Sequence, residues 1–576
     1  MKGLLLGIAP FLLIALGVFL PREWYDLLPL NSEMPPPGIR GVTLLQVSFV
    51  VEGLLLAYLV RRDWKWTPLE QSQRINFRSL PVQQDKARSG AVVLLAAIIL
   101  FGLGLRFYGL NSDLWIDEIS PLRMYGKLNM FEVMGTYLGS NNHLLNTLLV
   151  NWSVSTFGQH EWSIRLPAVL FGIATIPAFY WVARMALPRF ASLAAALLVA
   201  VSYHHIFFSQ NSRGYAAYMF FAVLSSGLLC RALESGRLMT FALYALAATL
   251  GFAALMNTAF VLGAHFIVCA TAAVLVWRRG ISPAPLIKLL AVVFSVIGLL
   301  AFQTYALILP KVYVYMQNVY TQPAAGYSML SGEFLREVWR GLSIASPVGW
   351  VATIPLLITG VVLGCLGMYR LFRRHWGLTA ALILPGVITA GFVLLAGLAA
   401  TPRLFLLMLF PAILVGVTLL HDFIHMIIKK VGASPRWTPI LVTAPLLVIA
   451  AVSLFPLNYY YTTPKQPFRA SLQYLSTIRK AEDVIIPVQL VEEGYRFYGP
   501  GFGLDESNSF YVRSQGDFDA VLATHGREHI FVVTTLLRNL RLTEPGLNTA
   551  IERDWQILKT FPATIGDGEV SVWKPK

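Results

Sequence analysis

Residues 91–120, AVVLLAAIILFGLGLRFYGLNSDLWIDEIS, decide how this chain is organised. The apolar run that opens the stretch is long enough to cross a hydrocarbon core of ~30 Å, which takes about 20 helical residues. Two adjacent carboxylates, Asp117 and Glu118, follow shortly after the run. The stretch therefore predicts a membrane span that leads into an acidic loop.

The composition indicates that most of the chain lies in a membrane. Of 576 residues, 56% are hydrophobic and 13% are charged, and the mean hydropathy is +0.62, which a water-soluble domain of this length would not tolerate. Residues 465–576 hold 27 of the 75 charged residues and have a net charge of −1, whereas residues 1–464 have a net charge of +16. We interpret this excess as lipid-facing basic loops rather than nucleic-acid binding. The three cysteines are widely spaced in apolar runs and predict neither a disulfide framework nor a metal site.

The fold class predicted from these patterns is an all-α polytopic membrane domain of about 13 helices, followed by a small C-terminal α/β domain. The predicted spans lie near residues 3–20, 41–60, 90–108, 166–187, 190–208, 214–233, 239–257, 259–277, 286–309, 347–369, 376–400, 403–420 and 437–457. The first run resembles a signal peptide but lacks a small-x-small cleavage site, so we predict a retained anchor. In the C-terminal domain, strands are predicted at 483–490 and 529–537, with a closing hairpin through IGDGE.

The distribution of basic residues predicts which loops face the cytoplasm. The loop at 61–89 carries seven Lys and Arg residues and is predicted to be cytoplasmic. If residues 143–158 lie along the interface without crossing, later cytoplasmic loops hold thirteen basic residues and outer loops six, whereas full insertion would exchange those counts. The interfacial interpretation is favoured, and it places the acidic loop and the C-terminal domain outside.

This topology gathers acids and cations on the outer surface. Carboxylates act as general bases, and the planar fork of Arg donates two hydrogen bonds to a phosphate. The combination at a lipid interface suits chemistry on a lipid-linked phosphate.

Five stretches, in this order, resemble the GT-C superfamily of integral-membrane glycosyltransferases, in particular its bacterial branch related to protein O-mannosyltransferases and lipid A aminoarabinose transferases. They are LRFYGLNSDLWIDEIS (105–120), NNHLLNTLLVNWSVSTFGQHEWSIRLPAVLFG (141–172), FFSQNSRGYAAY (207–218), TPRLFLLMLFP (401–411) and YYTTPKQPFRASLQYLSTI (460–478). The acidic loop follows the third span here, so the first two spans are an N-terminal addition. The resulting division is 1–89 for the addition and its cytoplasmic loop, 90–464 for the catalytic membrane domain with outer loop 109–165, and 465–576 for the soluble domain.

The resemblance implies a polyprenyl-phosphate-sugar donor and an acidic residue in the first outer loop that deprotonates the acceptor. Asp117 is predicted to be the base, with Glu118 beside it orienting the acceptor or holding the loop. Predicted phosphate-binding residues are Arg213, Tyr215, Arg403, Lys465 and Arg469, and predicted positioning residues are His143 and His205. No metal or other cofactor is predicted, although the resemblance leaves a divalent metal beside the acids open.

Each of these residues also has an ordinary structural interpretation. The acidic pair could start a helix, since acids are favourable in a first turn, and Arg213 and Arg403 could anchor helix ends at lipid headgroups. Lys465 and Arg469 could belong to a solvated linker. His143 and His205 could simply lie at the membrane interface.

The function predicted from the sequence is an inverting glycosyltransferase in the bacterial cytoplasmic membrane, with its active site and C-terminal domain extracytoplasmic. The expected partners are the lipid donor, a glycan, lipid or protein acceptor and the bilayer. The alternative is a transporter or a flippase of lipid-linked sugars. Transporters place ionisable groups near the bilayer midplane and often show repeated halves, and we expect neither here. A non-catalytic scaffold would not need an acid and an Arg on one face.

Overall fold

The computed structural model describes residues 2–19, 40–61, 68–78, 89–139, 141–319, 328–344, 349–432, 438–504 and 507–576. The described chain is mostly helical and has one four-stranded sheet near its C-terminus. The predicted fold class is therefore confirmed.

The helices of the membrane part correspond to the predicted spans. In chain order they are α1 Lys2–Phe19, α2 Gly41–Arg61, α3 Ser89–Phe107, α4 Ile116–Tyr125, α5 Met130–Gly135, α6 Leu144–Phe157, α7 Glu161–Ala183, α8 Arg189–Val201, α9 Tyr203–Ser209, α10 Tyr215–Ser235, α11 Leu238–Ala254, α12 Thr258–Arg278, α13 Ala284–Ala306, α14 Leu309–Val319, α15 Gly332–Ile344, α16 Gly349–Arg374, α17 Trp376–Leu395, α18 Leu409–Val431, α19 Thr438–Val452 and α20 Phe455–Thr462. A 3₁₀ turn, Pro402–Met408, precedes α18. Each predicted span coincides with one helix or with two consecutive ones.

Length and hydropathy identify nine stretches of the described residues that could each cross a membrane, or ten if α8 and α9, bent by 57°, form one broken span. Two apolar stretches, Ile8–Phe19 in α1 and Leu238–Ala254 of α11, are shorter. The 14 residues of α6 extend about 21 Å at a rise of 1.5 Å each, which is less than the ~30 Å of a hydrocarbon core. Its length fits the predicted interfacial position.

One expectation about the spans is wrong. Glu52 lies in the middle of α2, beside Gln303 of α13, so an acidic residue does occur within a predicted span. The α2 helix belongs to the predicted N-terminal addition, and Glu52 is separate from the acidic loop that carries Asp117.

The central helix of the bundle is α10, whose apolar stretch is 78% buried. Its N-terminal end follows Arg213. At its other end, the backbone N–H of Leu69 donates to the carbonyl of Gly236, and that of Ile75 donates to Leu233. The predicted cytoplasmic loop at 61–89 therefore contacts the end of α10 opposite to Arg213, although residues 62–67 and 79–88 of that loop lie outside the described residues.

The C-terminal domain has the predicted α/β character. Its strands are β1 Val484–Pro487, β2 Ile530–Thr534, β3 Trp555–Phe561 and β4 Val570–Pro575, in the sheet order β1-β2-β4-β3, and its helices are α21 Phe468–Ile478, α22 Val491–Tyr498, α23 Gln515–His525, α24 Leu537–Thr543 and α25 Pro545–Asp554. The strands β1 and β2 are parallel, and β3 and β4 form the predicted antiparallel hairpin. Asp567 in its turn has φ +63°, the conformation that an Asp-Gly turn tolerates.

A shared apolar core joins this domain to the acidic loop. Leu114, Ile119 and Leu122 from the loop and α4 pack in one cluster with Phe468 and Leu472 of α21. The position of the acidic pair is therefore set partly by the C-terminal domain.

Candidate functional site

The acidic pair lies in the first turn of α4. The backbone N–H of Leu114 donates to the Tyr498 hydroxyl at 2.8 Å, and that of Ile116 donates to Oε1 of Gln466 at 2.8 Å. Both acceptors belong to residues after 464, so the C-terminal domain supplies partners for N–H groups that no helical carbonyl can reach.

Asp117 faces two guanidinium groups. Its Oδ2 is paired with Nη1 of Arg213 and lies 3.5 Å from Nη1 of Arg403. Asn141 joins the pair, since its Nδ2 donates to Oδ1 of Asp117 at 3.4 Å and its Oδ1 accepts from Nη2 of Arg213 at 2.9 Å. The side chain of Arg213 is 4% exposed, that of Asp117 19% and that of Arg403 40%. Asp117, Arg213 and Arg403, all predicted site residues, are therefore in contact at a partly solvent-exposed place.

Two other predicted residues line the same position. The Arg213 guanidinium lies 5.1 Å from the centre of the Tyr215 ring, and the Tyr215 and His143 rings are 5.5 Å apart. Gly214 lets the backbone approach the end of α11 and His143 closely, because a Cβ at that residue would lie 2.1 Å from the carbonyl oxygen of Ala254 and 3.0 Å from Cβ of His143. Burial, and then the charges of Arg213 and Arg403, lower the pKa of His143 well below its usual value of 6.5. The imidazole is therefore neutral near pH 7.

Within the described residues, Nε of Arg213 and Nε2 of His143 are both buried and have no hydrogen-bond partner. Buried polar atoms are paired in most proteins, and unpaired ones require an explanation. Both atoms belong to the group of residues around Asp117.

Glu118 points away from Asp117 into a buried network. Its oxygens accept from Nε and Nη2 of Arg165 at 2.9 and 2.7 Å, and Oε1 also accepts from the backbone N–H of Ser212 at 2.8 Å. Nζ of Lys465 lies 3.4 Å from Oε2. Burial raises the pKa of Glu118, but Arg165 and Lys465 outweigh it and lower the pKa to about 2. This geometry suits the loop-holding role, one of the two roles that the sequence analysis left open for Glu118.

Arg165 also fixes the loop before α4. Its Nη1 donates to the carbonyls of Leu110 and Ser112, each at 2.8 Å, and its Nη2 donates to that of Asp113 at 2.9 Å. The fully buried Glu118–Arg165 pair thereby attaches the acidic loop to the start of α7.

Lys465 and Arg469 occupy the contact between the two domains. Lys465 is 1% exposed, and its Nζ donates to the carbonyl of Gln210 as well as to Glu118. Arg469 pairs with Glu161 and, at 3.3 Å, with Asp113. Both cationic groups pair with carboxylates of the protein, and their predicted phosphate-binding role stays a prediction.

His205 lies in another buried network. Its Nδ1 contacts Nη2 of Arg106 at 2.7 Å, and Ser209 lies beside both residues. The structure therefore does not bring His205 together with Asp117, although both were predicted site residues.

Asn141, Arg165 and Gln466 contribute to the site but were not predicted as site residues. Each lies in a stretch that carried the family resemblance. Asn141 stands in NNH just before α6, where an Asn also suits a helix start. Nothing in the sequence alone distinguished an Asn that bridges Asp117 and Arg213 from one that begins a helix.

The residues around Asp117 do not fit a divalent cation. Asp117 lies between two guanidinium groups, and Glu118 has both oxygens bound by cationic side chains. Within the described ranges, no three His, Cys, Asp or Glu side chains are grouped to hold a metal ion. The predicted absence of a cofactor stays a prediction.

Part of the chain matches a known protein family. Residues 144–305 match the family described as dolichyl-phosphate-mannose-protein mannosyltransferase, a segment that includes Arg165, Arg213 and Tyr215. This chain resembles the GT-C membrane glycosyltransferases. The resemblance drawn from the sequence is confirmed, and no curated protein matches the chain.

Structural comparison matches this chain to ArnT and to AglB, among other solved structures. ArnT from Cupriavidus metallidurans in the apo state shares 13% identity over 84% of this chain and 98% of its own, with a TM-score of 0.46. The same protein bound to undecaprenyl phosphate gives 14% identity, the same coverage and a TM-score of 0.43. Archaeal oligosaccharyltransferase AglB from Archaeoglobus fulgidus gives 12% identity over 78% and 70%, with a TM-score of 0.43.

Proposed function

We propose that this membrane protein is an inverting glycosyltransferase. It transfers a sugar from a polyprenyl-phosphate-linked donor to an acceptor hydroxyl or amine at the outer face of the bacterial cytoplasmic membrane. The observation that carries the proposal is the group of Asp117, Arg213 and Arg403, one carboxylate between two guanidinium groups. The matching family is named for a transferase whose donor is a sugar on a lipid phosphate, which supports the same donor class for this chain.

The arrangement suits a single displacement. Asp117 accepts the proton of the acceptor hydroxyl, and the acceptor oxygen forms a bond to the anomeric carbon. The bond from that carbon to the phosphate oxygen breaks, and its electron pair leaves with the polyprenyl phosphate. The departing phosphate needs no proton if cations neutralise it. Attack from the face opposite the leaving group inverts the anomeric carbon.

The two arginines have different parts in this proposal. Arg403 is partly exposed and provides the first contact for an incoming phosphate, whose bidentate recognition suits guanidinium. Arg213 neutralises Asp117 before the donor arrives and has a free Nε that also suits a phosphate oxygen. A phosphate that engages Arg213 weakens its pairing with Asp117, so donor binding increases the basicity available to the acceptor.

The experiment compares purified wild-type protein with Asp117→Asn, using polyprenyl phosphate charged with a radiolabelled sugar. The substitution keeps the shape and removes the basicity, so donor binding persists while transfer falls on the order of 10²-fold or more. The anomeric configuration of the product is read by NMR, and inversion is expected. Transfer by Asp117→Asn at the wild-type rate, or a retained configuration, would contradict the proposal.

A further inference from the structure

Arg106, in the last turn of α3, is a charged residue that the proposed chemistry does not use. It is fully buried and lies at the end of a candidate membrane span, where α3 leads into the acidic loop. In the part of the chain that the structure describes, its hydrogen-bond partners are carbonyls, one hydroxyl and one imidazole, and no carboxylate pairs with it. A buried cation without a carboxylate is costly, and charged residues within membrane spans commonly mark functional positions.

The guanidinium of Arg106 closes the break between α8 and α9. Its Nη1 donates to the carbonyl of Ala200 at 3.0 Å, and its Nη2 donates to that of Val199 at 3.3 Å. Carbonyls in the last turn of a helix form the negative end of its dipole, so a cation is favourable there. On the other side of the break, Nη2 lies 2.7 Å from Nδ1 of His205, and Nε donates to the Ser209 hydroxyl at 3.3 Å. One side chain therefore bridges both parts of the 57° bend.

The surroundings leave this guanidinium little freedom. Its three nitrogen atoms make five hydrogen bonds, the fifth from Nη1 to the carbonyl of Gly102 at 2.8 Å. Helix α7 passes close beside it, because a Cβ at Gly172 would lie 3.2 Å from Nε of Arg106 and 2.1 Å from the hydroxyl oxygen of Ser209. The orientation of α9 relative to α8 is thus fixed by contacts from α3 and α7.

The turn 210–214, QNSRG, connects the end of α9 to the proposed phosphate contact. Nε2 of Gln210 donates to the carbonyls of Arg106 and Tyr108, each at 2.8 Å. Arg213 is the fourth residue of this turn, so its position depends on where α9 ends. Arg106 determines that position twice, through its side chain at the break and through its carbonyl at the start of the turn.

We propose that Arg106 is a positioning residue for the transfer reaction, acting through the α8–α9 break to place Arg213. The inference rests on the proposed function, because it assumes that Arg213 contacts the donor phosphate. His205 takes part in the same arrangement, since a guanidinium has no acceptor and Nδ1 must accept from it.

The test combines Arg106→Lys with Arg213→Lys in the purified full chain in nanodiscs. Lysine keeps the charge but carries its three donors on one atom, so it cannot replace five hydrogen bonds made by three nitrogens. We expect Arg106→Lys to lower kcat/KM for transfer about 10-fold, mainly through a higher KM for the donor. The double variant should be within about 2-fold of Arg213→Lys alone, because residues that act through one group are not additive.

Arg184→Lys is the matched control. The Nη1 of Arg184 donates to the carbonyl of Leu187 at 2.9 Å, beyond the end of α7 that lies away from the acidic loop. This variant should leave kcat/KM unchanged. Hydrogen exchange of the peptide 207–218 reads the turn without any chemistry, and we expect it to be about 10-fold faster in Arg106→Lys and unchanged in Arg184→Lys.

Thermal unfolding verifies that each variant folds. If Arg106→Lys does not fold, Gln210→Met carries the same comparisons, because it removes the amide that joins the turn to α3 at similar volume. A folded variant with wild-type kcat/KM, or effects that multiply with that of Arg213→Lys, would overturn the proposal.

Failure of the proposed function has a different signature, in which wild type neither binds polyprenyl phosphate nor transfers a sugar. Hydrogen exchange then decides separately whether Arg106 holds the turn. Unchanged exchange of peptide 207–218 in Arg106→Lys would overturn the inference whether or not the protein is a transferase.

Discussion

At the scale of single residues, two adjacent acids have separate environments. Consecutive residues of an α-helix point about 100° apart, so Asp117 faces two guanidinium groups while Glu118 enters a buried network. The sequence predicted that the pair lies in an acidic loop after an apolar span, and it named Asp117 as the base, which stays a prediction. It could not predict that Arg165 and Lys465 bind Glu118, because those partners come from distant elements.

Arg213 makes two side-chain contacts that a lysine in its place could not both make. Its two Nη atoms contact Asp117 and Asn141 separately, which a single ammonium group cannot reproduce. Arg213→Lys keeps the charge and loses one or two charge-assisted hydrogen bonds. We therefore expect kcat/KM for transfer to fall about 10- to 100-fold, while the protein still folds. The exposed Arg336→Lys serves as the matched control. Full activity in Arg213→Ala would exclude a phosphate role.

His143 gives a prediction about pH. Its pKa lies well below 6.5 in the folded chain because burial and two guanidinium groups oppose its charge. The unfolded chain therefore binds the extra proton first, so His143 contributes stability above pH 6.5 that is lost as the pH falls below it. His143→Asn is expected to show a smaller decrease of thermal stability between pH 7 and pH 5 than wild type. An equal decrease in both proteins would argue against a buried, neutral imidazole.

At the scale of helices and strands, apolar length predicted the spans because a bilayer imposes one thickness on every crossing helix. The 57° bend between α8 and α9 was not predicted, since it depends on Ser202, whose side chain accepts the backbone N–H of His205 and starts a new helix. That bend is followed by the QNSRG turn that carries Arg213. The β3–β4 hairpin was predictable because an Asp-Gly turn is a local signal.

The junction of α4, α7 and the C-terminal domain depends on one buried charge group. Glu118→Gln keeps the shape but leaves Arg165 and Lys465 without their counter-charge, and breaking a buried pair typically costs about 3–5 kcal/mol. The variant is expected to unfold at a clearly lower temperature than wild type. Glu493→Gln, which breaks the exposed pair with Arg123, is the matched control and should change little. Equal melting temperatures for the two variants would show that the buried network does not hold the junction.

At the scale of the whole molecule, the sequence placed the acidic loop, Arg213, Arg403 and the C-terminal domain on one side of the membrane. The structure gathers these parts at one end of α10. Charge counting also assigned this end to the outside of the membrane, which stays a prediction. It could not show that Lys465 and Arg469 bind protein carboxylates, since linker cations have the same composition whether they are solvated or paired.

The sidedness of the chain follows from α10 and can be tested directly. Arg213 precedes this 21-residue helix and Gly236, which contacts Leu69, follows it, so residues 68–78 and the acidic loop lie on opposite sides of the membrane. The seven basic residues of loop 61–89 predict that Ser72 faces the cytoplasm. In a Cys365→Ala background, which removes the exposed native thiol, Thr524→Cys in the C-terminal domain should react with an impermeant thiol reagent on cells whose outer membrane is permeabilised. Ser72→Cys should react only after the inner membrane is opened. Labelling of Ser72→Cys alone in sealed cells would reverse the orientation and place the proposed transfer on the cytoplasmic face.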